Sequence, residues 1–183
     1  MDTDARLRLF LALRLPEEWL DALAGWQAGL FAGTRARVVP REHLHLTLAF
    51  LGARPAAELP AIVDVLGRAA ASAYPPRLLP ERYRETRSVA MLTFADEGGA
   101  GAALAEDVRV GLEAMGAYRR EGRRWLPHVT LARFRERPHA GEEIPDRIRT
   151  HVLVPSDAAA YLSRLRPGGA EYEVLASAPL RAL

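Results

Sequence analysis

Cysteine, lysine and asparagine are all absent from this chain of 183 residues. Without cysteine there is no disulfide, no thiolate nucleophile and no Cys-ligated metal. Without lysine no side chain can form a Schiff base or the lysyl-adenylate of an ATP-dependent nucleic-acid ligase, and all 25 basic residues are arginine. Long apolar runs are missing too. No stretch approaches the ~18 to 20 apolar residues of a membrane span, and Met1-Asp2-Thr3-Asp4 is not a basic region followed by an apolar one. The expectation is a cytoplasmic protein with no membrane partner. A net charge of +2 is slight, and the pI near 9.4 reflects arginines that do not titrate, so overall charge does not argue for nucleic acid. With 49% hydrophobic residues and this length, the chain can bury one sizeable core as a single domain over 1–183.

Threonine is also scarce, with seven residues in all, and that gives weight to where two of them lie. The string His43-Leu44-His45-Leu46-Thr47-Leu48-Ala49-Phe50-Leu51-Gly52 recurs in shorter form as Pro127-His128-Val129-Thr130-Leu131-Ala132-Arg133-Phe134. Their shared core is His-apolar-Thr-Leu-Ala. A single His-x-Thr is most often a satisfied core or surface histidine, but two copies with the same Leu-Ala tail are not a coincidence of composition. Both read as β-strands. Side chains alternate along a strand, so His45 and Thr47 share one face, and so do His128 and Thr130. The opposite face of the first copy, Leu44, Leu46, Leu48 and Phe50, is expected to point into the core. In a flat strand Arg133 points away from His128, and nothing in the sequence signals a bulge that would re-aim it.

In chain order, leucine at every odd position from Leu7 to Leu15 predicts a central strand with one deeply buried face. Pro16-Glu17-Glu18 starts a helix that buries Trp19, Leu23, Trp26 and Leu30. A basic lead-in, Arg35 to Glu42, precedes the first motif. A second helix over Pro60–Ala73, strands over Arg77–Tyr83 and Ser88–Ala95, and a third helix over Ala100–Gly116 follow. Tyr118 to Trp125 is a basic loop in which arginines could hold phosphates and Trp125 or Tyr118 could stack on a base. Pro138–Arg149 reads as loop plus short helix. Val152–Val154, Ala158–Leu165 and Glu171–Ala176 complete the strands, the last two joined through Arg166-Pro167-Gly168-Gly169. A strand, helix and motif strand early, repeated about 83 residues later, predict an α+β fold. Its two pseudo-symmetric lobes carry mainly antiparallel sheets facing across a central cleft, with helices outside.

With Arg8-Leu9-Phe10 near the start and Ser163 to Tyr172 near the end, the doubled motif resembles the two-histidine (2H) phosphoesterases. It is most similar to their RNA 2′,3′-cyclic phosphodiesterase branch, also called 2′-5′ RNA ligases. His43 stands where many relatives have Asn. The chemistry is also legible from the residues. Opening a cyclic phosphodiester needs a base for water on one side of phosphorus and an acid for the departing ribose oxygen on the other, and two histidines supply both near neutral pH. The hydroxyls of Thr47 and Thr130 can donate to the non-bridging oxygens as charge builds. No metal or cofactor is called for.

The resemblance implies that His45 is the proton donor, His128 the proton acceptor, and the product a 2′-phosphomonoester. Further substrate contacts are expected from Arg133, Arg124, Trp125 and His43; His139 and His151 receive no role, and Ser163 and Tyr172 are read as hairpin and core residues. The expected partner is RNA bearing 2′,3′-cyclic phosphate ends, such as tRNA fragments, or cyclic nucleotides, bound by a monomer. Two alternatives stay open: 2′-5′ ligation by the reverse reaction, and an RNA-end or nucleotide binder without turnover.

Overall fold

The computed structural model describes residues 5–120, 122–141 and 143–182, so the Met1–Asp4 segment and Glu121 in the basic loop lie outside the described residues. The chain runs β1 (Arg6–Arg14), α1 (Glu17–Leu30), β2 (Arg37–Val38), β3 (His45–Pro55), α2 (Leu59–Ser72), β4 (Arg77–Glu85), β5 (Val89–Glu97) and α3 (Ala100–Ala114). It continues as β6 (His128–Arg133), α4 (Asp146–Arg149), β7 (Asp157–Arg166) and β8 (Gly169–Pro179). Among the described residues the strands form one sheet in the order β4-β5-β6-β3-β1-β7-β8, with the two-residue β2 on β6, and every pairing is antiparallel. The fold is α+β, a curled antiparallel half-barrel with few helices, as the alternating strand and helix patterns imply.

The sheet has two wings. β3 carries β1, β7 and β8 on its outer side, and β6 carries β5 and β4. They meet at a narrow seam whose only ladder pair among the described residues is Leu46 opposite Val129. Each wing therefore contributes one motif strand as its innermost member. This is the repeat that the sequence shows, realised as two halves of a continuous sheet.

One face of the sheet builds the main core. The odd-numbered leucines of β1, from Leu9 to Leu13, pack there with Leu46, Leu48, Leu92, Val129 and Leu131. The helices cover that face. α1 contributes Trp19, Leu23 and Trp26, α2 Ile62 and Leu66, and α3 Leu104, Val108 and Leu112, each set at the three- and four-residue spacing of one helix stripe. Burying a side chain of this size is worth roughly 1.5 to 3 kcal/mol. The opposite face is left to a smaller cluster of Phe10, Ala12, Ala159 and Tyr161.

Two expectations fail here for one reason. Phe50 is not in the core; it is 46% exposed. Arg133 does not point away from the His128 face, but lines a hollow with His43 and Tyr172. In the β1 ladder Leu11 opposes Ala49 and Ala12 opposes Thr47, so Leu48 is an extra residue on β3. In the β5 ladder Ala90 opposes Ala132 and Met91 opposes Thr130, so Leu131 is an extra residue on β6. Each is a β-bulge at the leucine of the His-x-Thr-Leu-Ala motif. A bulge places two consecutive residues on the same side and reverses the alternation beyond them. Leu48 and Ala49 are both buried, as are Leu131 and Ala132, and the next residue of each copy, Phe50 or Arg133, turns to the motif face.

Both bulge carbonyls find side-chain donors from helices. Gln27 of α1, only 1% exposed, donates through Nε2 to Leu131 O at 2.6 Å and Val39 O at 3.2 Å. Arg109 of α3 donates through Nε to Leu48 O at 3.1 Å. A buried carbonyl left without such a partner would cost about 1 to 3 kcal/mol, which explains a glutamine inside α1's apolar stripe.

Candidate active site

Extending the register of the Leu46–Val129 pair sets His45 opposite Thr130 and Thr47 opposite His128. Since Leu46 and Val129 point into the core, all four lie on the other face, and all four are half-buried. Directly opposed residues across a non-hydrogen-bonded antiparallel pair stand about 4.5 to 5.5 Å apart, and diagonal ones about 7 to 8 Å. His45 and His128 are the diagonal pair. The rings are near enough for His128 to act electrostatically on His45, and each has a threonine hydroxyl on the facing strand.

The two rings are held alike. His45 Nδ1 lies 2.6 Å from His43 O, and His128 Nδ1 lies 2.9 Å from Leu126 O. A carbonyl oxygen only accepts, so each Nδ1 carries the hydrogen and each Nε2 is the ring nitrogen left with a lone pair. No hydrogen bond within the described residues claims the hydroxyl of Thr47 or Thr130.

The environments of the two rings differ. Around His45 stand Phe10, Tyr161 and Tyr172, with ring centroids at 4.8, 5.9 and 5.5 Å. Phe10 in turn stacks on Tyr161 at 4.8 Å. This aromatic box strips water from the imidazole, and burial is the main reason its pKa is lowered from 6.5 to about 4. The His43 carbonyl partly offsets it; His128, His43 and Arg133 add smaller repulsions. The sequence reading gives these aromatics no part in the site, although a signal exists: the even positions of β1 face away from the leucine side, and Phe10 is among them.

A stability prediction follows from that shift. The folded-state pKa lies below the unfolded value, so above pH 6.5 neither state protonates His45 and nothing is lost. As pH falls from 6.5 toward 4 the unfolded chain takes up the proton first, and folding loses up to about 3 kcal/mol from this group. Melting temperatures at pH 7.5 and 5 are expected to fall further apart for the wild type than for His45→Gln. Identical drops for the two proteins would contradict the shift.

Two hollows flank the histidines. One, of about 580 Å³, is lined by Thr47, Phe50, Met91, Arg124, Trp125 and His128 among others. Phe50 lies over the guanidinium of Arg8, whose Cζ is 4.6 Å from the ring centre. Trp125 is engaged in the architecture: its Nε1 donates to Thr47 O at 2.8 Å, and its six-membered ring sits where a Cβ on Gly101 would approach to 2.7 Å. Arg124 is exposed at the same rim. The second hollow, of about 410 Å³, holds Arg133 and His43. Tyr172, read from the sequence as a hairpin and core residue, stands beside it, its ring 4.8 Å from that of His43 and its backbone N–H 3.4 Å from His43 Nε2. His139 and His151 are exposed and away from both hollows; Ser163 is buried in the β7–β8 hairpin. Among the described residues no group of three His, Asp or Glu side chains is placed to hold a metal ion.

Comparison with known proteins agrees with this architecture. The family model described as LigT like Phosphoesterase matches residues 13–79, the stretch carrying the first motif. The chain is 35% identical to the RNA 2′,3′-cyclic phosphodiesterase of Thermus thermophilus, over 96% of this chain and 91% of that protein. The crystal structure of TT0787 from the same organism superposes with a TM-score of 0.81 at 33% identity, covering 96% of this chain and 98% of that one. Escherichia coli LigT complexed with 3′-AMP superposes with a TM-score of 0.81 at 26% identity, covering 96% and 99%. These likenesses define a phosphoesterase. The chain belongs to the LigT-like family of 2H phosphoesterases.

Proposed function

We propose that this protein hydrolyses 2′,3′-cyclic phosphodiesters at RNA ends, or in nucleotides, to 2′-phosphomonoesters, with His45 and His128 as the proton-transfer pair. The reading is carried by one observation: two imidazoles, each with Nδ1 tied to the carbonyl two residues back, stand diagonally across one strand seam with a threonine hydroxyl beside each. In this reading the phosphate lies between the rings. His128 Nε2 takes the proton of the attacking water, and His45 Nε2–H gives its proton to the departing 3′ oxygen. Thr47 and Thr130 donate to the non-bridging oxygens, where charge accumulates.

An acid at His45 must be protonated, and burial opposes that. The anionic phosphodiester supplies the compensation, because an opposite charge within ~4 to 6 Å raises the pKa of an imidazole. Protonation is then coupled to binding, and the imidazolium forms only where its proton is used. The protein acts as a single bilobal monomer in the cytoplasm, on cyclic-phosphate RNA ends such as tRNA fragments or on cyclic nucleotides. Its likeness to the phosphodiesterase of T. thermophilus supports the substrate class.

Incubation with a nucleoside 2′,3′-cyclic monophosphate, with products separated by chromatography, is expected to yield the 2′-monophosphate. Tight binding without turnover would replace this reading with that of an RNA-end binder, and a 3′-monophosphate would reverse the assignment of the leaving oxygen.

A further inference from the structure

The seam between the wings has one ladder pair among the described residues, Leu46 with Val129, so strand pairing alone does little to fix the spacing across it. Trp125 ties the wings together beside that pair. It belongs to the lead-in to β6, and its indole Nε1–H crosses to β3 and donates to Thr47 O at 2.8 Å. The same lead-in orients His128, because Leu126 O accepts from its Nδ1 at 2.9 Å. On its other side Pro127 O accepts from the backbone N–H of Phe94 on β5 at 3.0 Å. The segment from Trp125 to His128 is therefore pinned to β5 by its backbone and to β3 by a side chain.

The indole is itself held. Its six-membered ring lies against Gly101 in the first turn of α3, where a Cβ would come within 2.7 Å of Cζ3, 2.9 Å of Cη2 and 3.3 Å of Asp96 Oδ1. Gly101 is buried and lines neither of the hollows beside the histidines. Its φ lies outside the left-handed region, so its backbone would accept alanine, the better helix former. What the glycine provides is room for the indole.

We propose that Trp125 is a positioning residue: its indole, seated in the notch at Gly101, sets the spacing of the Thr47 hydroxyl and the His128 imidazole across the seam. The inference rests on the reading that both groups act on the reacting phosphate, and it replaces the base-stacking role that the sequence suggests for this side chain. An indole whose N–H is spent on a backbone carbonyl and whose ring is wedged against a helix is a rigid spacer. Misplacing reacting groups by about 1 Å costs roughly 10²-fold in rate. Ground-state binding of the substrate feels such a shift less.

The test is turnover of a nucleoside 2′,3′-cyclic monophosphate by wild type, Trp125→Phe, Trp125→Ala, Gly101→Ala and the variant combining Gly101→Ala with Trp125→Phe. Phenylalanine keeps an aromatic face and loses the N–H and the outer ring. Trp125→Phe is expected to lower kcat about tenfold, with KM within about twofold of wild type. Gly101→Ala should lower kcat to a similar extent. In the Trp125→Phe background the same substitution should cost less than about twofold, because the ring it would strike is gone.

Wild-type kcat in Trp125→Phe, with a raised KM in Trp125→Ala, would return the side chain to base stacking and overturn the proposal. Additive losses from Gly101→Ala and Trp125→Phe would assign the effect of Gly101 to the start of α3, where Asp96 accepts from the N–H groups of Gly101 and Ala102, and overturn the notch. A readout without turnover keeps this inference separate from the reading it rests on. The indole N–H resonance that Trp125→Phe removes should exchange slowly with D2O in the wild type and faster in Gly101→Ala. Fast exchange in the wild type overturns the tie to Thr47; slow exchange in a protein without turnover overturns the proposed activity and leaves the tie in place.

Discussion

Replacing either His45 or His128 with alanine is expected to lower kcat on a 2′,3′-cyclic substrate by roughly 10²- to 10⁴-fold, equivalent to about 3 to 5 kcal/mol of barrier. The size follows from the work each ring does. With Nδ1 committed to a backbone carbonyl, each ring offers Nε2 alone, and among the described residues no carboxylate lines the first hollow to replace it. Because water attack and departure of the ribose oxygen belong to one displacement, the double variant is expected to be little worse than the poorer single one. The profile of kcat/KM against pH should be bell-shaped in the wild type. Circular dichroism should show that both variants fold. If either retained more than a tenth of wild-type turnover, the proton-transfer assignment would be wrong.

The largest effect on stability is expected at Leu46. It is 0% exposed, it forms with Val129 the one ladder pair across the seam among the described residues, and it lies between His45 and Thr47. Truncation to alanine removes its transfer free energy and leaves a cavity where both wings must close. The cost should be about 2 to 5 kcal/mol, a drop in Tm of roughly 10 °C for a chain of this size. Leu165→Ala, at a leucine 69% exposed on β7, should stay within about 0.5 kcal/mol of wild type and serves as the control. Equal melting temperatures for the two variants would mean that the seam is not a stabilising contact. Activity should fall with Leu46→Ala as well, because a shift of the seam moves the two histidines relative to each other.

Much of this is legible in the amino-acid sequence. The period-two leucines of β1, the three- and four-residue stripes of α1 to α3, and the repeated His-x-Thr are local patterns, and local patterns survive in a linear string. They were enough to put His45 with Thr47 and His128 with Thr130 on shared faces, and to place Trp19 and Trp26 in the core. Alternation misled at Phe50 and Arg133. Whether a strand bulges depends on what its neighbour and the covering helices offer: Leu48 and Leu131 are extruded against β1 and β5, and their carbonyls are satisfied by Arg109 and Gln27 from distant parts of the chain.

The sequence by itself determined which residues can carry protons and which strands carry them, because residue type and period-two spacing are properties of short segments. Only the tertiary structure decided that Phe10, Tyr161 and Tyr172 enclose one histidine, and that Phe50 and Arg133 turn to the same face as the histidines. Those placements arise from strand order and register, which join residues far apart in the chain and are set by packing of the whole sheet.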